Sequence, residues 1–308
     1  MNTRLIAITL LLGTSVCSAA SVAIKHDGFD KILRETVRPD GMVDYLAIRK
    51  SHWSELNSYL DQFADADPST LPRDDALAAY INLYNATIIR TVVLRLKSGY
   101  AVSQNKWGVF KEKLVSVNGK RISLDDLEHK IIRPDFNDPR IHVALVCAAK
   151  SCPPLLNRAY RGSDLQSVLE QRMKDFINDS SRNRVDMDRG RLQVSQVFNW
   201  FAEDFGGKSK VATYIDKYRG ESAATYAVTF LEYDWSLNDA TPVSGEWVFV
   251  TSSRVRLYAS PAGNRPLAYA VRNQILEIVD RQSNWVKVDR GFGKPLVWMY
   301  AAYGSRYK

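Results

Sequence analysis

Apolar positions first fall into helical register over residues 29–37, and Arg38, Pro39, Asp40 and Gly41 then break the pattern with turn chemistry. Leu46, Trp53, Leu56, Leu60 and Phe63 recur at mostly helical spacing and predict a second helix. A loop over residues 65–72 leads to Asp74 and Asp75, acidic residues suited to a helix N-terminus. Residues 76–96, ALAAYINLYNATIIRTVVLRL, are apolar on most sides and predict a central buried helix. Its polar exceptions are Asn82, Tyr84 and Asn85. A buried Asn costs about 1–3 kcal/mol unless its amide is hydrogen-bonded. Asn82 and Asn85 therefore read either as ties for a neighbouring loop or as substrate contacts.

Residues 97–113 show no regular period. Two short β-type runs then flank Asn118-Gly119, a hairpin signal, and Ser123 with Asp126 three places on reads as a helix start. Glu128 and His129 fall on that short helix, which is predicted to end before Pro134. The run IHVALV at 141–146 predicts a buried strand with Cys147 at its C-terminal end. Residues 163–177 form an amphipathic helical pattern, 191–194 a strand, 196–205 a short aromatic helix closed by Gly206-Gly207, and 210–218 another helix. Residues 232–238 read as an extended end piece. A linker over 238–245 precedes a change of period: short β-type runs at 247–250, 255–258, 275–279 and 285–288 are separated by turn residues. The pattern predicts an α+β protein, with a helix-rich mixed α/β domain and small sheet over residues 21–240, then a small all-β barrel over 246–308.

Composition agrees with a globular chain: 308 residues, 45% hydrophobic and 25% charged. Residues 1–20 read as a cleaved secretory signal, with Arg4 before the apolar run LIAITLLL and small residues Ser18, Ala19 and Ala20 at the cleavage position. Val16 before Cys17 is a poor fit to a lipidation site, so no lipid anchor is expected there. No later run reads as long and apolar enough for a membrane span. Export places the mature chain in the periplasm of a bacterium and leaves it Cys147 and Cys152. The net charge is +8, and residues 246–308 hold ten Lys/Arg against four Asp/Glu. On an exported protein that basic tail favours anionic envelope polymers over nucleic acid.

The sharpest chemistry is thiol, imidazole and carboxylate. A Cys attacks as thiolate, and a free pKa of about 8.5 leaves little of it at neutrality unless a base assists. Cys147 is the candidate nucleophile and His129 the candidate base. On a strand, His142 would lie about 16 Å from Cys147 and on the opposite face, which disfavours it as the base. Glu128, beside His129, belongs to the same constellation, but helical neighbours point apart, so it reads as a structural ion pair rather than the orienter of His129. Alternatively, Cys147 and Cys152 form a disulfide in an oxidising compartment. No spacing matches a metal site, and no P-loop, dinucleotide-binding or GxSxG motif is present, so no cofactor or metal is expected.

NLYNATI, ISLDDLEHKIIR, DPRIHVALVCAAKSCPPL, FNWFAEDF and YDWSLN resemble, in that order, the blocks of the domain of unknown function 547 family, over roughly residues 30–238. The resemblance implies that Glu128, His129, His142 and Cys147 belong to the family motif. Related plant proteins keep the first Cys but have Ser at the position of Cys152, which implies that the disulfide is not a family property. The order His then Cys is also similar to that of circularly permuted papain-like hydrolases. Residues 246–303 resemble a bacterial SH3 domain through RVRLYASPAG, NQILEIVDRQSNWVKV and VWMYAAY, which implies a module binding peptidoglycan or an envelope peptide. Leu296-Val297-Trp298 and the turn from Leu257 to Pro261 depart from the usual SH3 pattern.

Two functions follow as expectations. One is an exported thiol hydrolase or transferase acting on amide or ester bonds, with catalytic Cys147, His129 and Glu128 and with His142, Asn82, Asn85 and Cys152 as binding residues. The other is a non-catalytic periplasmic binding or scaffold protein with a structural Cys147–Cys152 disulfide.

Overall fold

The computed structural model describes residues 24–96, 100–219, 223–241, 246–272, 274–291 and 293–307. The signal segment with Cys17, and residues 242–245 of the expected linker, lie outside the described residues.

The helix Arg73–Arg95 is the centre of the first part, buried on nearly every face as its sequence requires. By length and apolar character it could cross a membrane, contrary to the expectation that no run would, but 89% of its apolar window is buried inside the protein. The helices Asp27–Thr36 and Trp53–Asp61, and the aromatic stack of Phe29 on Tyr59, cover one side. Leu165–Asn178 lies against it further along. Asn82 and Asn85 are both fully buried and each clamps backbone in two directions. Asn82 donates to Tyr160 O (2.8 Å) and accepts from Tyr160 N (2.9 Å); Asn85 donates to Ala144 O (2.9 Å) and accepts from Val146 N (2.9 Å).

The hairpin forms as expected, Val115–Val117 against Lys120–Ile122. Asn118 (φ 49) and Gly119 (φ 67) supply the two left-handed residues that a tight hairpin turn needs. Ser123 and Asp126 make a reciprocal capping box at the start of Leu124–Asp126. Here the sequence expectation fails in one respect. The helix does not stop before Pro134 but runs on as the π-helical turn Leu127–Ile132 and then Arg133–Phe136. A proline inside a helix lacks an N–H and crowds the carbonyl one turn back. The wide turn just before Pro134 accommodates it. Likewise, residues 97–113 are not wholly irregular, because Gln104–Lys111 is helical.

The predicted strand at 141–146 is a second correction. Pro139–Val143 is a 3-10 helix, started by Asp138, whose carboxylate accepts from Arg140 N (2.9 Å), with Pro139 in its first turn. The cap and the preset proline φ override the strand-like apolar run IHVALV. Ala148 then adopts a left-handed conformation (φ 67) and turns the chain back, so that Cys152 N reaches Ala149 O (3.1 Å). That conformation costs a non-glycine residue roughly 1–2 kcal/mol. The end piece runs alongside this turn through Lys150 N to Ser236 O, Ser151 N to Asp234 O and Asn238 N to Ala148 O.

A three-stranded sheet completes this part: Arg184–Asp186 antiparallel to Arg191–Val194, which is parallel to Ala227–Phe230. The C-terminal residues form a five-stranded antiparallel sheet in the order Val297–Tyr300, Trp285–Asp289, Ile275–Gln282, Glu246–Val250 and Gly304–Tyr307, beside the hairpin Arg254–Leu257 with Ala268–Val271. Among the described residues the sheet stays open. The hairpin is hydrogen-bonded to its edge at the Tyr258–Trp298 bridge and packs Val255 and Leu257 into one core with Val248, Val286 and Val297, but the expected closed barrel is not formed. Trp247 is buried in the core of the first part under the Arg49 guanidinium, 5.0 Å from the ring centroid. The overall class is α+β, with small open sheets.

Candidate functional site

The 3-10 helix, the Cys turn, the π-helical turn and the aromatic segments near residues 200 and 235 converge on a cavity of about 440 Å³. Cys147, Cys152, His129, Glu128 and His142 all line it, whereas Asn82 and Asn85 do not; they tie down the loops behind it. The two sulfurs sit at disulfide distance, with Cα atoms 6.2 Å apart. Arg182 fastens this turn from outside by donating to Cys152 O (3.1 Å) and Lys150 O (3.1 Å). The Tyr233 hydroxyl stands 3.4 Å from Cys147 Sγ. Burial pushes the Tyr233 pKa up, so the hydroxyl keeps its proton and can donate towards sulfur.

His142 is held more tightly than any sequence argument indicated. Its side chain is 1% exposed, stacks on Phe201 (3.9 Å between centroids) and places Nε2 2.6 Å from Asp204 Oδ2. Asp204 is in turn gripped by the Arg133 fork at 2.7 Å and 2.7 Å. His142 and Arg133 hold the Asp204 carboxyl well below the usual carboxylate range. Burial lowers the His142 pKa, with Asp204 pulling the other way. This hydrogen bonding assigns the imidazole proton to Nε2 and leaves the lone pair on Nδ1. A carboxylate behind one nitrogen and a lone pair on the other is what a general base requires.

His129 is arranged oppositely. Arg133 Nη1 lies 2.8 Å from its Nδ1, and a guanidinium can only donate, so that lone pair is engaged. Its Nε2, 3.7 Å from Asp125 Oδ1, carries the proton. Burial is the main cause of its lowered pKa, with Asp125 opposing. The expectation that separated His142 from Cys147 rested on a strand that is not there. On the observed turn both side chains line one cavity.

Glu128 is not the expected ion pair. It is buried, its hydrogen-bond partner is the Tyr84 hydroxyl, and burial raises its pKa to about 7. The folded state thus favours the protonated acid. Its contribution to stability is fully present below the ordinary value of 4.5 and is lost as pH rises towards 7. Glu128→Gln keeps an acceptor for Tyr84 without the charge. We expect urea unfolding to show this variant more stable than the parent at pH 8, by up to about 3 kcal/mol, and indistinguishable at pH 4. An unchanged slope of stability against pH between these limits would refute the assignment.

Among the described residues, no group of three or more His, Cys, Asp or Glu side chains is placed to hold a metal ion. Asp204, Arg133 and Tyr233 were missed by sequence reasoning, and Tyr84 was noted only as a polar exception of the central helix. Asp204 and Tyr233 stood inside FNWFAEDF and YDWSLN, where their presence in family-like blocks was the available signal.

Residues 68–177 match the family model described as Protein of unknown function, DUF547. The DUF547 match supports the resemblance read from the motifs. It contains Glu128, His129, His142, Cys147 and Cys152, with Tyr84, Trp107 and Phe110 of the cavity wall, and ends before Trp200, Phe201, Asp204, Tyr233 and Trp235. No curated protein and no solved structure matches the chain.

Proposed function

We propose that the cavity is the site of an exported thiol hydrolase or transferase that acts on amide or ester bonds, with Cys147 as nucleophile and His142 as base. One observation carries this reading: the Cys147 turn and a histidine backed by a carboxylate line the same cavity. The disulfide with Cys152 is the resting form. A dithiol reductant opens it, becoming a disulfide itself and leaving two protein thiols. His142 Nδ1 then takes the Cys147 proton. The thiolate adds to the carbonyl carbon, and the Tyr233 hydroxyl is positioned to donate to the oxyanion. As the tetrahedral intermediate collapses, the departing oxygen or nitrogen takes the proton from His142. Water or another acceptor then cleaves the thioester and restores the thiol. Glu128, poised near neutrality, is a second proton site on the same wall.

The leader-like residues 1–20 support export to the periplasm. The SH3-like reading of the C-terminal module is supported by a groove of about 470 Å³ lined by Arg254, Arg256, Tyr258, Trp285, Tyr300 and Tyr303. Aromatic faces beside two arginines suit an anionic envelope peptide or peptidoglycan stem. The test is hydrolysis of p-nitrophenyl acetate before and after treatment with dithiothreitol. We expect release of p-nitrophenol only after reduction; equal rates in both states would exclude the thiol mechanism.

The cysteine pair itself favours a second reading, a binding or scaffold protein in which the disulfide merely fixes the cavity wall. A reduced protein with no esterase activity and an unchanged fold would favour it.

A further inference from the structure

One wall of the cavity is almost wholly aromatic. Trp107, Trp200, Tyr233 and Trp235 touch one another, with ring centroids 4.0 Å apart for Trp107–Trp235, 4.3 Å for Tyr233–Trp235, 4.8 Å for Trp200–Tyr233 and 5.4 Å for Trp200–Trp235. Trp200 is 47% exposed and Trp107 38% exposed, although both face the cavity. The same cavity is also lined by polar groups: Lys111, Asp125, Glu128 and His129.

These features discriminate among occupants. Aromatic cages for cations hold their rings apart around the guest. Rings already in mutual contact leave no such gap, so a quaternary ammonium has no seat between them. A bare acyl chain would cover the indoles but strip water from Asp125 and Lys111 without replacing it. The cavity fits a molecule with a flat C–H face for the indoles and hydroxyl groups for the polar lining. A pyranose ring has that shape. The cavity's volume of about 440 Å³ lies in the range of ordinary small-molecule sites.

We infer that the aromatic wall seats a pyranose ring, so that the group presented to Cys147 is an N- or O-acyl substituent of a sugar. This rests on the thiol reading above. In the reaction, a bond forms between Cys147 Sγ and the acyl carbon, and the bond from that carbon to the sugar oxygen or nitrogen breaks. The electron pair leaves on the sugar, which takes the proton that His142 received from Cys147. The products are a sugar hydroxyl or amine and an acyl thioester, which water converts to a carboxylic acid and the free thiol.

Binding needs no thiol, so the test uses the oxidised full chain. The probe is the tetramer of β-1,4-linked N-acetylglucosamine, followed by calorimetry and tryptophan fluorescence. We expect saturable binding with a change in indole emission. Trp200→Ala should weaken it about tenfold or more, and Trp200→Phe should restore most of the loss. Trp200 is exposed, so the fold is expected to survive both changes, and circular dichroism checks it. No saturable binding overturns the proposal, and so does binding that Trp200→Ala leaves unchanged, which would place the sugar on the C-terminal module. The two readings fail separately. Cys147-dependent ester hydrolysis without sugar binding sinks the sugar site alone. Sugar binding lost in Trp200→Ala, with hydrolysis indifferent to Cys147, sinks the thiol mechanism alone.

Discussion

Reduced protein carrying Cys147→Ser should hydrolyse p-nitrophenyl acetate about 10³-fold or more slowly than the reduced parent. Removing a nucleophile from a site whose groups act as a unit costs at least that much. A serine hydroxyl keeps the size of the thiol but not its acidity, so His142 cannot generate a comparable nucleophile at neutral pH. The partner cysteine gives the opposite result. Cys152→Ser removes the disulfide and leaves Cys147 free beside Tyr233, so this variant should be active without dithiothreitol. The pair of variants separates a catalytic thiol from a structural bridge. If the disulfide only supported the fold, both substitutions would have the same effect.

The second large effect concerns which imidazole is the base. His142→Gln should lower kcat/KM by about 10²–10⁴-fold, the range for loss of a positioned proton acceptor. His129→Gln should cost less than about tenfold, because Arg133 and Asp125 already engage both of its nitrogens. The pH profile carries the same distinction. Burial lowers the His142 pKa, so the acid limb of kcat/KM in the parent should fall away below the ordinary value of 6.5. Asp204→Asn should displace that limb, since it removes the carboxylate that steadies the imidazolium. An acid limb that follows His129→Gln instead would return the role of base to His129.

Much of the fold could be read from local signals. The all-round apolar run around Asn82 could only be a buried helix, Asn118-Gly119 could only close a tight turn, and Ser123 with Asp126 announced a helix start. These features depend on neighbours in sequence. The misreadings came where local signals competed or where partners were distant. The apolar run at 141–146 suggested a buried strand, and the Asp138-Pro139 cap imposed a 3-10 turn instead. That error carried through to chemistry, because it turned His142 away from Cys147. The π-helical turn that carries Glu128 and His129 has no sequence period of its own. Asp204 lies 62 residues from His142 and Tyr233 lies 86 from Cys147, contacts that no spacing rule anticipates. The open C-terminal sheet is of the same kind: strand existence was local, and closure was not.

The central claim is that Cys147 becomes covalently acylated. The direct measurement is intact and peptide mass spectrometry of the reduced protein, quenched with acid seconds after mixing with p-nitrophenyl acetate. The account predicts one acetyl group, on Cys147, that disappears on longer incubation, is absent from the oxidised protein and fails to accumulate in His142→Gln. Turnover of the ester with no acetyl group on Cys147 at any time, or equal acetylation of Cys147 and Cys152, would contradict it.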